Sequence, residues 1–176
     1  MVIRVPPLTM LGYTRIRITQ IALFYTAKPI GEFMSSVITT RIQTRMSDYD
    51  VLGHINNVSY VNFLEIARVT SFSEVLKIDL SRYTGLTAKT EIEYLHPAKF
   101  GIPIAVTMGV SDLGEKRVNL ALEVVDANDQ SKVFARASII QVTVDLLTQK
   151  SCAHTTEMRA QLEAMMNGKA EFTQAA

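Results

Sequence analysis

The chain reads as an α+β protein in which an antiparallel sheet wraps around one long central helix, and three observations carry that reading. From Val58 to about Leu76 there is no Gly or Pro, while Val61, Leu64, Arg68, Phe72 and Val75 recur near helical spacing. After Lys89 the apolar period changes to two and stays there as far as Leu146. Turns rich in Gly, Asp and Asn separate the alternating runs at hairpin spacing.

The elements follow in order. Ser36 to Met46, SVITTRIQTRM, places Ile38, Thr40, Ile42, Thr44 and Met46 on one face and Arg41, Gln43 and Arg45 on the other, a half-exposed strand. The helix comes next. Val58, Phe63, Ile66, Ala67 and Val69 make its remaining faces apolar too, so burial on most sides is expected. The connection KIDLSRYTGLTAK carries turn chemistry at Thr84 and Gly85. Four strands are then predicted: KTEIEYL; IAVTMGV, with Ile104, Val106, Met108 and Val110 aligned; RVNLALEVV, with Val118, Leu120, Leu122 and Val124 aligned; and KVFARASIIQVTVDL, apolar on both faces towards its end. TTEMRAQLEAMM is a terminal helix with Thr155 or Thr156 as N-cap and an Asn167-Gly168 stop. A single sheet curled round a helix leaves edges and an outer face needing cover. The apolar final strand points to a second copy as that cover, so a homodimer or homotetramer is expected.

At 176 residues the chain is the size of one domain. Its 18 Lys and Arg against 17 Asp and Glu give a formal charge of +1, which provides no footprint for nucleic acid. The lone Cys152 rules out an intrachain disulfide framework and a paired-cysteine zinc site, and favours a reducing, cytoplasmic compartment. No apolar run is long enough to predict a membrane span. In the first 33 residues Arg4, Arg15, Arg17 and Lys28 meet no acid until Glu32. Organelle import, an extra strand, and an upstream extension before a natural start at Met34 are the three readings, and the third fits the pattern best. The expected division is an extension over 1–33, the wrapped-sheet domain over 34–150, and a helix with its tail over 151–176.

The densest polar chemistry, SDYDVLGHINN, lies at the mouth of the most apolar segment. Asp48, Asp50 and Gly53 resemble the start of a calcium loop, but the fifth and twelfth positions of that loop are Leu52 and Ser59, which offer no such ligands. Asp48, Asp50 and His54 make an incomplete transition-metal set, and His96 and His154 fall in unrelated turn and tail contexts; no metal or cofactor is expected. Asn57-Val58-Ser59 matches the glycosylation acceptor pattern, read as coincidence without a secretory signal. There is no G-x-S-x-G elbow, no Gly-rich phosphate loop, and no base positioned for Cys152 beyond His154. Two readings of Asp50 remain level on chemistry alone. In one, Asn56 or Asn57 caps the helix and Asp50 makes turn hydrogen bonds. In the other, the free N–H groups of the helix mouth hold an oxyanion developing on a carbonyl while Asp50 attacks it or orients water. A thioester suits so sparse a site, because its thiolate leaves with a conjugate-acid pKa of about 8.5 by analogy with Cys.

TRIQTRMSDYDVLGHINNVSYVNFLEIAR resembles the motif of hotdog-fold acyl-CoA thioesterases of the 4-hydroxybenzoyl-CoA thioesterase type, especially long-chain acyl-CoA members with D-x-x-x-H-x-N-N-x-x-Y-x-x-x-x-E-x-A-R. The likeness runs from about Ser36 to Lys150 through IEYLHPAKFGIPIAV and ARASIIQVTVDLLTQK, departing at Gly101-Ile102, where the family more often has Gly-Asp. The resemblance implies a hotdog fold and hydrolysis of an acyl-CoA substrate, with Asp50 as nucleophile or general base and the Asn57 backbone N–H as oxyanion donor. It implies that His54 and Tyr60 line or brace the site, with Glu65 as a reserve catalytic candidate. The same scaffold carries acyl carrier protein thioesterases and non-catalytic acyl-CoA binders, which are the alternatives. Arg82, Lys89, Lys99, Lys116, Arg117 and Arg136 all remain open as contacts for CoA phosphates.

Overall fold

The computed structural model describes residues 36–169. The expectations for residues 1–33 and for a start at Met34 lie outside that range. Strand β1 (Ile38–Ile42) leads through a short 3-10 turn (Met46–Asp48) to helix α1 (Asn57–Thr70), which runs on into one π turn (Ser71–Val75). Strands β2 (Tyr83–Tyr94), β3 (Ile104–Leu113), β4 (Arg117–Asp126) and β5 (Asp129–Asp145) follow, then the two-residue β6 (Lys150–Ser151) and helix α2 (Thr156–Met166). The sheet is antiparallel throughout, in the order β1-β3-β4-β5-β2, with β6 beside β5.

Phe63, Leu64 and Ala67 of α1 pack into one core with Ile38 of β1, Met108 of β3, and Leu120, Leu122 and Val124 of β4. Burying each of the larger side chains contributes roughly 1.5–3 kcal/mol against leaving it exposed. Met158, Leu162 and Met165 of α2 join that core, and Thr155 caps α2 by accepting the Met158 N–H at 3.2 Å. Arg68 is buried on α1 without an isolated charge: Glu65 pairs with it, and the Gln141 amide oxygen accepts from its Nε at 2.9 Å and Nη1 at 2.8 Å.

Three local expectations are corrected. The first strand ends at Ile42, short of Thr44 and Met46, because the chain turns there into the 3-10 segment. Thr84 and Gly85 are in β2, not in a turn; the buried Gln141 side chain crosses Gly85 so closely that a Cβ there would stand 2.9 Å from the amide, which explains a glycine inside a strand. Helix α1 is not buried on most sides within one chain: Val58 is 68% exposed, and Val61, Ile66 and Val69 are also open. Strand β5 lies inside the sheet between β4 and β2, and within its apolar run Ile139 and Val144 are buried in the chain while Ile140 and Val142 are half-buried. Among the described residues the long edge without a strand partner is β2, where Leu86 and Tyr94 are exposed. Among the described residues no helix is long and apolar enough to cross a membrane.

Candidate active site

The loop before α1 separates its two aspartates by function. Asp48 is 2% exposed. Its Oδ2 accepts the Arg45 N–H at 2.7 Å, and its Oδ1 receives the Arg45 guanidinium at 3.3 Å and the Ser59 hydroxyl at 3.4 Å. The Asp48 carbonyl accepts the Asn56 N–H at 2.8 Å. Burial opposes ionisation of Asp48, but the bonds from Arg45 and Ser59 outweigh it and hold the carboxyl below its ordinary range. Asp48 therefore ties the loop to the first turn of α1.

Asp50 is exposed, and its Oδ1 accepts two backbone N–H groups, from Leu52 at 2.8 Å and His54 at 3.0 Å. Its Oδ2 has no hydrogen-bond partner among the described residues. The His54 N–H holds this carboxyl below the ordinary carboxylate range, with Leu52 adding to it against slight burial, so Asp50 is ionised at neutral pH. The turn is closed by Gly53 at φ +74°, a conformation that favours glycine, and by the Gly53 N–H donating to the Asp50 carbonyl at 3.1 Å.

Asn56 is the N-cap of α1, its side chain accepting the Val58 N–H at 3.0 Å. The Ser59 N–H bonds to the Asn56 carbonyl at 2.9 Å. That leaves the Asn57 N–H unpaired among the described residues, at the positive end of the helix. Tyr60, one turn on, is buried; its phenolic oxygen accepts the Ala98 N–H, and burial pushes its pKa above 10.0, so it stays a neutral phenol. Its ring meets Tyr94 edge-on, with centroids 5.3 Å apart.

These groups open onto a cleft of ≈ 260 Å³, lined by Asp50, His54, Asn57 and Tyr60 together with Tyr94, His96 and Pro97. Four of the sequence-derived site residues thus share one cleft. Glu65 does not line it: it is eight residues past Asn57, about 12 Å along the helix axis, and paired with Arg68. His96 corrects the reading of it as remote, because the segment that follows β2 brings it into the same cleft as Asp50. Local sequence held no signal for that. His154 is indeed elsewhere, buried beneath β4 and β5, where its Nε2–H donates to the Arg117 carbonyl at 3.2 Å and its Nδ1 accepts from Thr143 at 2.9 Å. Among the described residues no three His, Cys, Asp or Glu side chains gather as metal ligands.

An ionised carboxylate with one oxygen fixed and the other open, beside a partnerless N–H at a helix start, can attack a carbonyl or deprotonate water while an oxyanion is held nearby. Comparison with known proteins gives that chemistry a family. Residues 44–162 match the family described as the Thioesterase-like superfamily. The long-chain acyl-CoA thioesterase FadM of Escherichia coli K12 is 30% identical over 130 residues, which span 72% of this chain and 98% of that protein. The crystal structure of YbaW, a probable thioesterase from Escherichia coli, superposes with a TM-score of 0.62 at 29% identity, covering 73% of this chain and 98% of that one. The PA5185 protein of Pseudomonas aeruginosa does so with a TM-score of 0.68 at 26% identity, covering 76% and 93%. The chain belongs to the thioesterase-like superfamily: it is a hotdog-fold thioester hydrolase.

Proposed function

We propose that this enzyme hydrolyses the thioester of an acyl-CoA to free CoA and a carboxylic acid at the Asp50 cleft. The observation that carries the reading is the asymmetry of Asp50: two N–H groups orient one oxygen, and the second has no partner among the described residues. The thioester carbonyl oxygen lies at the Asn57 N–H, where the helix end stabilises the charge that develops on attack. Asp50 either takes a proton from water as the water oxygen bonds to the carbonyl carbon, or itself forms the C–O bond and yields an anhydride that water opens. In both routes the C–S bond breaks and the thiolate leaves. His54 lines the cleft, and Tyr60, which also lines it, braces the loop through Ala98.

A homodimer or homotetramer completes the site in this reading. The β2 edge, which has no strand partner among the described residues, reaches the cleft at Tyr94, and the open apolar face of α1 begins at Val58 next to Asn57, so a second copy seated there contributes residues to each site. A panel of acyl-CoA and acyl carrier protein thioesters of graded chain length, read by thiol release, tests the substrate class, with long acyl chains first because of the FadM likeness. Selective turnover of acyl-CoA is expected. Turnover of carrier-protein thioesters alone would replace the substrate, and tight acyl-CoA binding without thiol release would make the chain a binder.

A further inference from the structure

The sequence left six basic residues open as phosphate contacts, and the structure separates them. Arg82 is bound to Asp145 at 2.7 Å, and Lys89 to Glu91, Arg117 to Asp112 and Arg136 to Glu123, each at 2.8 Å. Lys99 and Lys116 have no carboxylate partner among the described residues. Lys116 precedes β4, whose Arg117 pairs with Val142, whereas the cleft end of the sheet is marked by the row Val124, Ala135 and Tyr94. Seven strand residues, about 24 Å, separate these two ends. Lys116 is too far from the cleft.

Lys99 is at its rim for a definite geometric reason. It forms an antiparallel bridge with His54, flanked by Ile55 N–H to the Ala98 carbonyl and Phe100 N–H to the Gly53 carbonyl, each 2.9 Å. That pattern makes His54 and Lys99 a non-hydrogen-bonded pair, the register in which opposed side chains come closest and emerge on the same face. The His54 side chain lines the cleft. The Lys99 side chain therefore leaves the backbone beside it, towards the rim and exposed to solvent. An unpaired ammonium there would bind an anion entering with the substrate, since it gives up no existing ion pair.

We propose that Lys99 binds a phosphate of the thioester's carrier arm, as a binding residue that acts on substrate affinity and not on bond breaking. This rests on the hydrolase reading above. The phosphate has two possible sources, the phosphopantetheine common to CoA and acyl carrier protein, or the nucleotide of CoA alone. The test compares Lys99→Met, which keeps most of the aliphatic stem, and Lys99→Arg with the wild type. The substrates are one acyl group carried on CoA, on phosphopantetheine and on pantetheine. For Lys99→Met, KM for acyl-CoA is expected to rise about fivefold, the size of a solvent-exposed ion pair, with kcat unchanged. Lys99→Arg restores it, and acyl-pantetheine is unaffected by either change. A matching rise with acyl-phosphopantetheine places the contact on the shared phosphate; a rise with acyl-CoA alone places it on the nucleotide. An unchanged KM for acyl-CoA, or an equal loss with acyl-pantetheine, overturns the role of Lys99 while leaving hydrolysis intact. If the wild type releases thiol from none of the three, the hydrolase reading fails and the Lys99 role falls with it.

Discussion

Asp48 and Asp50 are two residues apart in one loop, and replacing Asp48 with Asn separates their roles. The native carboxylate accepts on both oxygens: Oδ2 from the Arg45 N–H at 2.7 Å, Oδ1 from the Arg45 guanidinium at 3.3 Å and the Ser59 hydroxyl at 3.4 Å. An amide has one acceptor oxygen. If that oxygen keeps the Arg45 N–H, the NH₂ faces the guanidinium, which cannot accept, and the hydroxyl must turn. The largely exposed Arg45 partner contributes at most about 1 kcal/mol; the mismatch at a buried group adds a further 1–2 kcal/mol or so, for a total of about 1–3 kcal/mol. At about 4 °C per kcal/mol for a domain of this size, the melting temperature drops by about 4–12 °C. The loss also depends on pH. Because the folded value of Asp48 lies below its ordinary 3.8, its contribution is present above the unfolded value and disappears as pH falls through the folded one. Wild type and Asp48→Asn should therefore converge in strong acid. Thermal and denaturant melts at several pH values, paired with thiol release per folded molecule, check this. An unshifted melt, or a stable variant without turnover, would refute the assignment of Asp48 to structure.

Two further outcomes follow from the fold. His154 is buried with both ring nitrogens satisfied in the neutral form, and burial, with Arg159 nearby, pushes its pKa below 6.5. Stability should thus be full above about pH 6.5 and decline as pH falls from there to the folded value; His154→Gln should flatten that decline in pH-dependent melts. At the β2 edge, Leu86→Lys is expected to shift the proposed homo-oligomer towards a single chain of 19.6 kDa in light scattering, and to lower thiol release with it. A wild type that is itself a stable, fully active monomer would remove the shared-site idea.

The parts of this molecule that were legible in the sequence are those whose signals are local. Asp50, His54, Asn57 and Tyr60 fall within one contiguous motif, and the loop and first turn of α1 bring them together at one cleft. His96 carries no local signal because long-range contacts bring it to the cleft: its N–H donates to the Phe134 carbonyl at 3.2 Å, and the bridge of His54 to Lys99 holds the segment after β2 against the loop. Composition could not separate Asp48 from Asp50; burial against Ser59 and Arg45 does. Thr84-Gly85 carries turn residues for a packing reason, the passage of Gln141 over the strand, which no window of β2 alone contains. The apolar girth of α1 suggests burial on most sides, yet Val58, Val61, Ile66 and Val69 stay open, because a sequence shows that a face is apolar and not which surface covers it.

The most direct test of the account is the single-turnover rate of Asp50→Asn on saturating acyl-CoA. The substitution keeps an oxygen to accept the Leu52 and His54 N–H groups and removes only the charge and the open second oxygen. Near-normal melting and acyl-CoA binding are expected, with the chemical step slowed by on the order of a hundredfold or more, as for loss of a positioned base or nucleophile. Glu65→Gln, which alters the partner of Arg68 outside the cleft, should slow that step far less. Near wild-type chemistry in Asp50→Asn together with an inactive Glu65→Gln would contradict the account and move the reacting carboxylate onto the helix.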